Sequence, residues 1–141
     1  MSRRTGLPAT WLWTPALLGV PRVAAHDLRL VGPAVNAVLV FAPLVIWVAV
    51  ALWRRVPNPF VTLLAVGVCH GVLLAATHQL LWTQALADVP PPVFGEAVLR
   101  IAAALSSLVT GTAVGAAAGV VAWLVARLVP AFRTRRREEG S

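Results

Sequence analysis

Lysine is absent from this 141-residue chain, and five acidic residues stand against twelve arginines. Charged residues make up 12% of the chain, whereas typical soluble domains have about 25%. A soluble protein of this size exposes much of its surface and must cover it with polar groups. This composition cannot do so, and the scarcity of charge excludes an ordinary soluble globular fold.

Cysteine occurs once, at Cys69, which excludes an internal disulfide and a cysteine-based zinc cluster. The long uncharged runs contain no carboxylate, so a small proton-coupled exporter is disfavoured. The sequence has no candidate nucleophile accompanied by a suitable base, and it has no phosphate loop or metalloprotease signature. We therefore expect no catalytic residues, no metal site and no cofactor, and we predict that the chain is not an enzyme.

What the chain has in excess is apolar sequence, at 59% of its residues. The runs 30–53, 56–87 and 101–126 carry no charge, and each exceeds the roughly 20 residues that a transmembrane helix needs. The sequence predicts an all-α integral membrane protein with three transmembrane helices. We expect them at about 34–53, 60–82 and 101–126, within a helical domain of residues 34–129.

Residues 1–33 allow more than one interpretation. Residues 16–31 place Arg22, His26 and Arg29 on one helical face and apolar side chains opposite, a pattern typical of an amphipathic helix in the membrane interface. We predict such an interfacial helix, ended by Gly32 and Pro33. The alternatives are a fourth transmembrane helix and a cleaved signal peptide, whose basic start and apolar middle the segment shares.

Arginines also indicate sidedness, because they concentrate on the cytoplasmic side of a membrane protein. With three spans, Arg54 and Arg55 share a side with Arg127 and the basic tail 130–141, which is therefore predicted to be cytoplasmic. A fourth span would bring Arg3 and Arg4 to that side. The composition suggests a bacterial inner membrane protein whose partner is the lipid bilayer, and nucleic acid is not expected to bind.

Small residues recur every fourth position in the third span, as Ala103, Ser107, Gly111, Gly115 and Gly119. In lipid, helices associate through close backbone approach, which small residues allow. This face is predicted to pack helices. It could join copies of the chain or bind a partner membrane protein, or it could pack on the first two spans of the same chain.

His70 lies near the middle of the second span, where an ionisable side chain is a candidate functional residue. Its depth matches that of Thr110 and Thr112 in the third span. A neutral imidazole bonded to a threonine or a carbonyl, a role in proton or solute passage, and haem or metal ligation all remain open. His78 lies about 12 Å further along the same helix, so one ion cannot take both rings.

A polar layer is expected near the other end of the second span. It combines side chains from all the predicted helices, namely His26, Asp27, Asn36, His78, Gln79 and Arg100. Ordinary interfacial capping would explain the layer, and a shallow outward-facing binding site is the alternative. Asp27 could pair with Arg100.

The leading functional hypothesis is a small structural or accessory membrane subunit that packs through its glycine-rich face. The alternatives are a small permeation or transport protein with His70 at its barrier, and a haem- or metal-binding membrane protein.

Overall fold

The fold was obtained as a computed structural model, which describes Pro8, residues 10–28, Leu30, residues 32–85, residues 95–129 and Phe132. The side chains of His26, Asp27 and Ala85, residues 86–94 and most of the basic tail lie outside that description. The described chain is all-α. Its helices are α1 (Thr10–Leu17), α2 (Val20–Asp27), α3 (Pro33–Trp53), α4 (Pro59–Leu80), α5 (Trp82–Ala85) and α6 (Glu96–Leu128).

Three of these helices, α3, α4 and α6, are long and apolar enough to cross a membrane. They confirm the three predicted spans, so the chain is a multi-pass helical membrane protein in contact with lipid. The largest difference is in α6, which begins at Glu96 and has 33 residues. At 1.5 Å per residue it is about 50 Å long, and Arg100 lies within its first turns.

Helix starts follow the local sequence. Pro33 and Pro59 occupy the first turns of α3 and α4, where a missing N–H costs nothing. The Asn58 side chain accepts a hydrogen bond from the Val61 amide at 3.2 Å, which caps the first turn of α4. Asn58 and Pro59 therefore fix the end of the α3–α4 turn at which α4 begins.

The same turn begins with a Schellman motif at the C-terminus of α3. The Arg55 amide bonds to the Leu52 carbonyl at 3.0 Å, and the Val56 amide bonds to the Ala51 carbonyl at 3.2 Å. Arg55 adopts the left-handed conformation that this motif requires, with φ of 47°. Glycine is the usual residue there, since any side chain in this conformation costs about 1 kcal/mol or more.

The glycine face of α6 lies against α4 of the same chain. A Cβ atom added at Gly67 would lie 2.5 Å from the Gly111 carbonyl oxygen and from the Gly115 Cα, and one at Gly115 would lie 2.6 Å from the Gly67 Cα. Gly119 approaches the backbone of Phe60. The two helices therefore touch backbone to backbone, which only glycine permits.

Four of the five residues predicted for this face are buried, namely Ser107, Gly111, Gly115 and Gly119. Ala103 is half-buried, and its carbonyl accepts a hydrogen bond from the Ser107 hydroxyl at 2.8 Å. Of the two interpretations left open by the sequence, the packing observed is the one within the chain. The face is covered by α4, so it offers no open surface to a second copy.

Helices α1 and α2 run along the bundle from one end to the other. The guanidinium of Arg54, just past the end of α3, lies 4.1 Å from the ring centre of Trp11 in α1. At the opposite end, the Arg22 side chain of α2 donates a hydrogen bond to Asn36 near the start of α3, at 3.3 Å. We call these the Arg54 end and the Asn36 end. The segment is helical, as predicted, but it runs along the depth of the bundle.

Candidate functional site

His70 lies at the middle of α4 and contacts the N-terminal segment. Its Nδ1 atom is 3.2 Å from the carbonyl oxygen of Ala16. The imidazole ring also lies against Gly19, where an added Cβ would collide with the ring carbon Cε1. Of the partners that the sequence allowed, the structure therefore has a backbone carbonyl, and it comes from the N-terminal segment.

Trp47 of α3 stands beside His70 and makes a parallel contact. Its indole N–H donates a hydrogen bond to the Pro15 carbonyl at 2.7 Å. Its ring meets the His70 ring edge to face, with 5.4 Å between the centroids and 71° between the planes, an arrangement that aromatic rings favour. The side chain is only 2% exposed. Trp47 thereby links α1, α3 and α4 at one level.

The two carbonyls lie in the last turn of α1, next to the point where the helix breaks. Helix α1 ends at Leu17, two turn residues follow, and α2 begins at Val20. Pro21 carries no N–H and cannot continue an α-helical hydrogen-bond ladder through this point. The Leu18 and Gly19 amides bond three residues back, to Pro15 and Ala16. The Pro15 and Ala16 carbonyls thus each accept a backbone amide within the segment, and the Trp47 and His70 rings contact the same two oxygens from α3 and α4.

We refer to Pro15, Ala16, Gly19, Trp47 and His70 as the midplane cluster. A cavity of about 70 Å³ lies on its Asn36 side, and its walls include Gly19, Arg22, His70 and Thr110. That volume holds a small number of water molecules. Thr110, predicted to share the depth of His70, therefore lines the same space, although the ring bonds elsewhere.

A second cavity, of about 230 Å³, lies on the Arg54 side of the cluster. Its walls are mostly apolar and include Trp11, Leu18, Val50 and Val66, with Arg54 also lining it. Trp47 lines both cavities. The midplane cluster therefore lies between two cavities. Arg22 lines the cavity on the Asn36 side, and Arg54 lines the cavity on the Arg54 side.

The predicted polar layer is divided into two groups. Asn36 is in the first, where it accepts the hydrogen bond from Arg22, a residue outside the predicted layer. In the second, Arg100 pairs with Glu96 at 2.8 Å, the Gln79 amide donates to the Arg100 carbonyl at 3.0 Å, and the Arg100 guanidinium lies 4.9 Å from the Trp82 ring centre. These contacts are typical of interfacial anchoring.

The three other members of the predicted polar layer are His78, His26 and Asp27. His78 is half-buried in the last turn of α4. His26 and Asp27 lie in α2, but their side chains are outside the described part of the chain, and so is the predicted pair between Asp27 and Arg100. Within the described residues, no three His, Cys, Asp or Glu side chains are close enough to hold a metal ion.

Several residues of the site were missed by the sequence reasoning. Trp47 was not singled out from the sequence, because its donor role depends on the Pro15 carbonyl, which only the fold brings next to it. Gly67 and Gly71 were more accessible to prediction, because they form a GxxxG pair in the same stretch as His70. That pair matches the one recognised in the third span.

Comparison of the chain with protein-family models, with curated proteins and with solved structures found no match to any of them.

Proposed function

We propose that this chain is a small, non-catalytic permeation protein of the bacterial inner membrane, in which the midplane cluster is the barrier to a proton or a comparably small solute. The observation that carries the proposal is the broken helix at His70, with a cavity on either side. Discontinuous helices near the bilayer midplane, with polar groups at the break, are how many transporters build their solute sites.

The barrier requires α1 and α2 to form a fourth, broken crossing. Residues 10–27 would extend about 27 Å as helix, close to the roughly 30 Å hydrocarbon core. Contacts support this at three levels: Trp11 with Arg54, Ala16 with His70, and Arg22 with Asn36. Arg3 and Arg4 then join the arginine-rich Arg54 end, which we assign to the cytoplasm together with the C-terminal tail.

The cluster is suited to gating because its contacts can open without unfolding the long helices. The tight α4–α6 pair is fixed by glycine packing, whereas the broken segment is attached to it through the His70 and Trp47 contacts. Proton binding to His70 would add a donor at Nε2 and a positive charge beside Gly19. A charge at this depth is costly, so it would favour a shift of α1–α2 away from the ring.

The test is proton flux into liposomes that contain the purified protein and a trapped pH-sensitive dye, with valinomycin and potassium to clamp the voltage. We expect the wild type to dissipate a pH step faster than empty liposomes. His70→Gln keeps a donor for the Ala16 carbonyl but does not titrate, and it should slow the flux severalfold. His78→Gln is the matched control and should leave the flux unchanged.

Flux equal to that of empty liposomes would overturn the proposal. The chain would then be the structural or accessory subunit indicated by its lack of catalytic groups, although its glycine face is already used within the chain. A haem or metal carrier remains the third alternative, and an absorption spectrum and metal analysis of wild type and His70→Gln would identify it. No contact described above favours it.

A further inference from the structure

We propose that the Arg54 end of helices α3 and α6 is a binding site for one anionic phospholipid of the bilayer. Its headgroup would lie beside Arg55 and Arg127, and one of its acyl chains would lie between the two helices. The proposal is independent of the permeation function, because no residue of the midplane cluster lines the cavity or the groove.

The headgroup part is a cavity of about 710 Å³ at the ends of the two helices. It is lined by the Schellman turn with Arg55, by Pro57 and Pro59, and by Trp123 and Arg127 of α6. Both charged residues among the described lining residues are arginines. The Arg127 guanidinium stacks on the Trp123 ring at 4.0 Å from its centre, which directs it along the wall of the cavity.

The acyl part is a groove of about 650 Å³ that continues from the first cavity, with which it shares Leu52 and Phe132. Leu44, Val48 and Leu52 of α3 form one wall, and Ala117 and Val121 of α6 form the other. From Leu44 to Leu52 the groove follows α3 for about 12 Å. Every described residue that lines it is apolar, so it suits a hydrocarbon chain and no polar ligand.

Charge complementarity selects the headgroup. Arginine binds phosphate oxygens through paired N–H donors, and basic pockets between transmembrane helices on the cytoplasmic side bind anionic lipid headgroups. A soluble phosphate compound would satisfy the arginines but leave the apolar groove unfilled. Only a lipid offers both parts in one molecule.

The backbone of Arg55 gives independent support. It occupies the left-handed position of the Schellman motif, with φ of 47°, where glycine would fold without strain. Arginine at this strained position places a guanidinium at the headgroup cavity, which Arg55 lines. Backbone strain of this kind is characteristic of functional positions.

The test is lipid retention measured by native mass spectrometry, after exchange of the full-length protein into a neutral detergent with equal phosphatidylglycerol and phosphatidylcholine. We expect the wild type to retain phosphatidylglycerol severalfold more than phosphatidylcholine. Arg55→Gln combined with Arg127→Gln should remove that preference. Arg100→Gln is the matched control, since Arg100 also lies on α6 against a tryptophan but at the Asn36 end, and it should keep the preference.

Two further variants separate the parts of the site and guard against a misfolded double variant. Arg55→Gly relieves the strained turn, so it should fold at least as well as the wild type and still lose lipid preference. Ala117→Phe fills the groove and should weaken retention of both lipids at this site, whereas Val109→Phe, at a lipid-exposed position of α6, should not.

Three results would overturn the proposal. One is equal retention of the two lipids by the wild type. Another is a loss of preference in Arg100→Gln as large as in the double variant. The third is displacement of phosphatidylglycerol by inorganic phosphate at the same molar ratio, which would identify a phosphate site that makes no use of the groove.

Discussion

At the scale of single residues, Trp47 and His70 define the candidate site because each contacts a carbonyl oxygen in the last turn of α1, next to the break before α2. The sequence was informative about His70, since an ionisable residue far from either end of an apolar run must find a partner. It could not identify that partner. A carbonyl belongs to every residue, and only the fold determines which one faces the ring.

Trp47→Phe tests the tryptophan contact. It keeps an aromatic ring beside His70 but removes the donor to the Pro15 carbonyl, so we expect the free energy of unfolding to fall by about 1 kcal/mol, a typical value for a hydrogen bond between membrane helices. The measurement is reversible unfolding in mixed micelles. Trp53→Phe is the control, because Trp53 is 75% exposed. An equal loss in both variants would mean that the indole N–H contributes nothing specific.

Helices are where the sequence was most informative. Three uncharged runs predicted α3, α4 and α6, since in lipid the length of an apolar run and the positions of arginine and proline largely determine a span. The small-residue pattern predicted a packing face on α6 as well. What the pattern on one helix could not give was the partner, because α4, a second copy and another protein can all present a small-residue surface.

Gly111→Ala tests the α4–α6 contact. The added methyl group would collide with the backbone of Gly71, and backbone cannot move aside as a side chain can. We expect the free energy of unfolding to fall by about 1–3 kcal/mol, as in other overpacked interiors. Gly32→Ala provides the control, because nothing lies within 4 Å of a Cβ atom there. Equal stability of the two variants would show that the helices can separate at little cost.

At the scale of the whole molecule, the N-terminal segment is the part whose place relative to the membrane the sequence determines least. Its hydropathy is weakened by Arg22, His26 and Asp27, and the arginine pattern of residues 16–31 resembles that of a helix in the membrane interface. Hydropathy measures what a segment gains from lipid alone, but one face of this segment packs on other helices and buries Leu12, Ala16 and Val23. A segment covered by protein need not be apolar enough to span alone.

Sidedness of the termini tests the fourth crossing. Single cysteines at Ser2, Gln84 and Ser141 would be introduced into a Cys69→Ala background and labelled in sealed, oriented vesicles with a membrane-impermeant maleimide. Four crossings place Ser2 and Ser141 on one side and Gln84 on the other. The three-span arrangement with an interfacial helix would instead give Ser2 the labelling of Gln84, and that result would remove the fourth crossing and the barrier built on it.

The contacts of the broken segment also bear on how the chain is inserted during synthesis. Pro15 precedes its partner Trp47 by 32 residues, and Ala16 precedes His70 by 54. The segment therefore lacks its Trp47 and His70 contacts until α3 and then α4 have left the ribosome. In the four-crossing arrangement proposed above, we therefore expect this segment to join the bundle after α3 and α4, although it is translated before them.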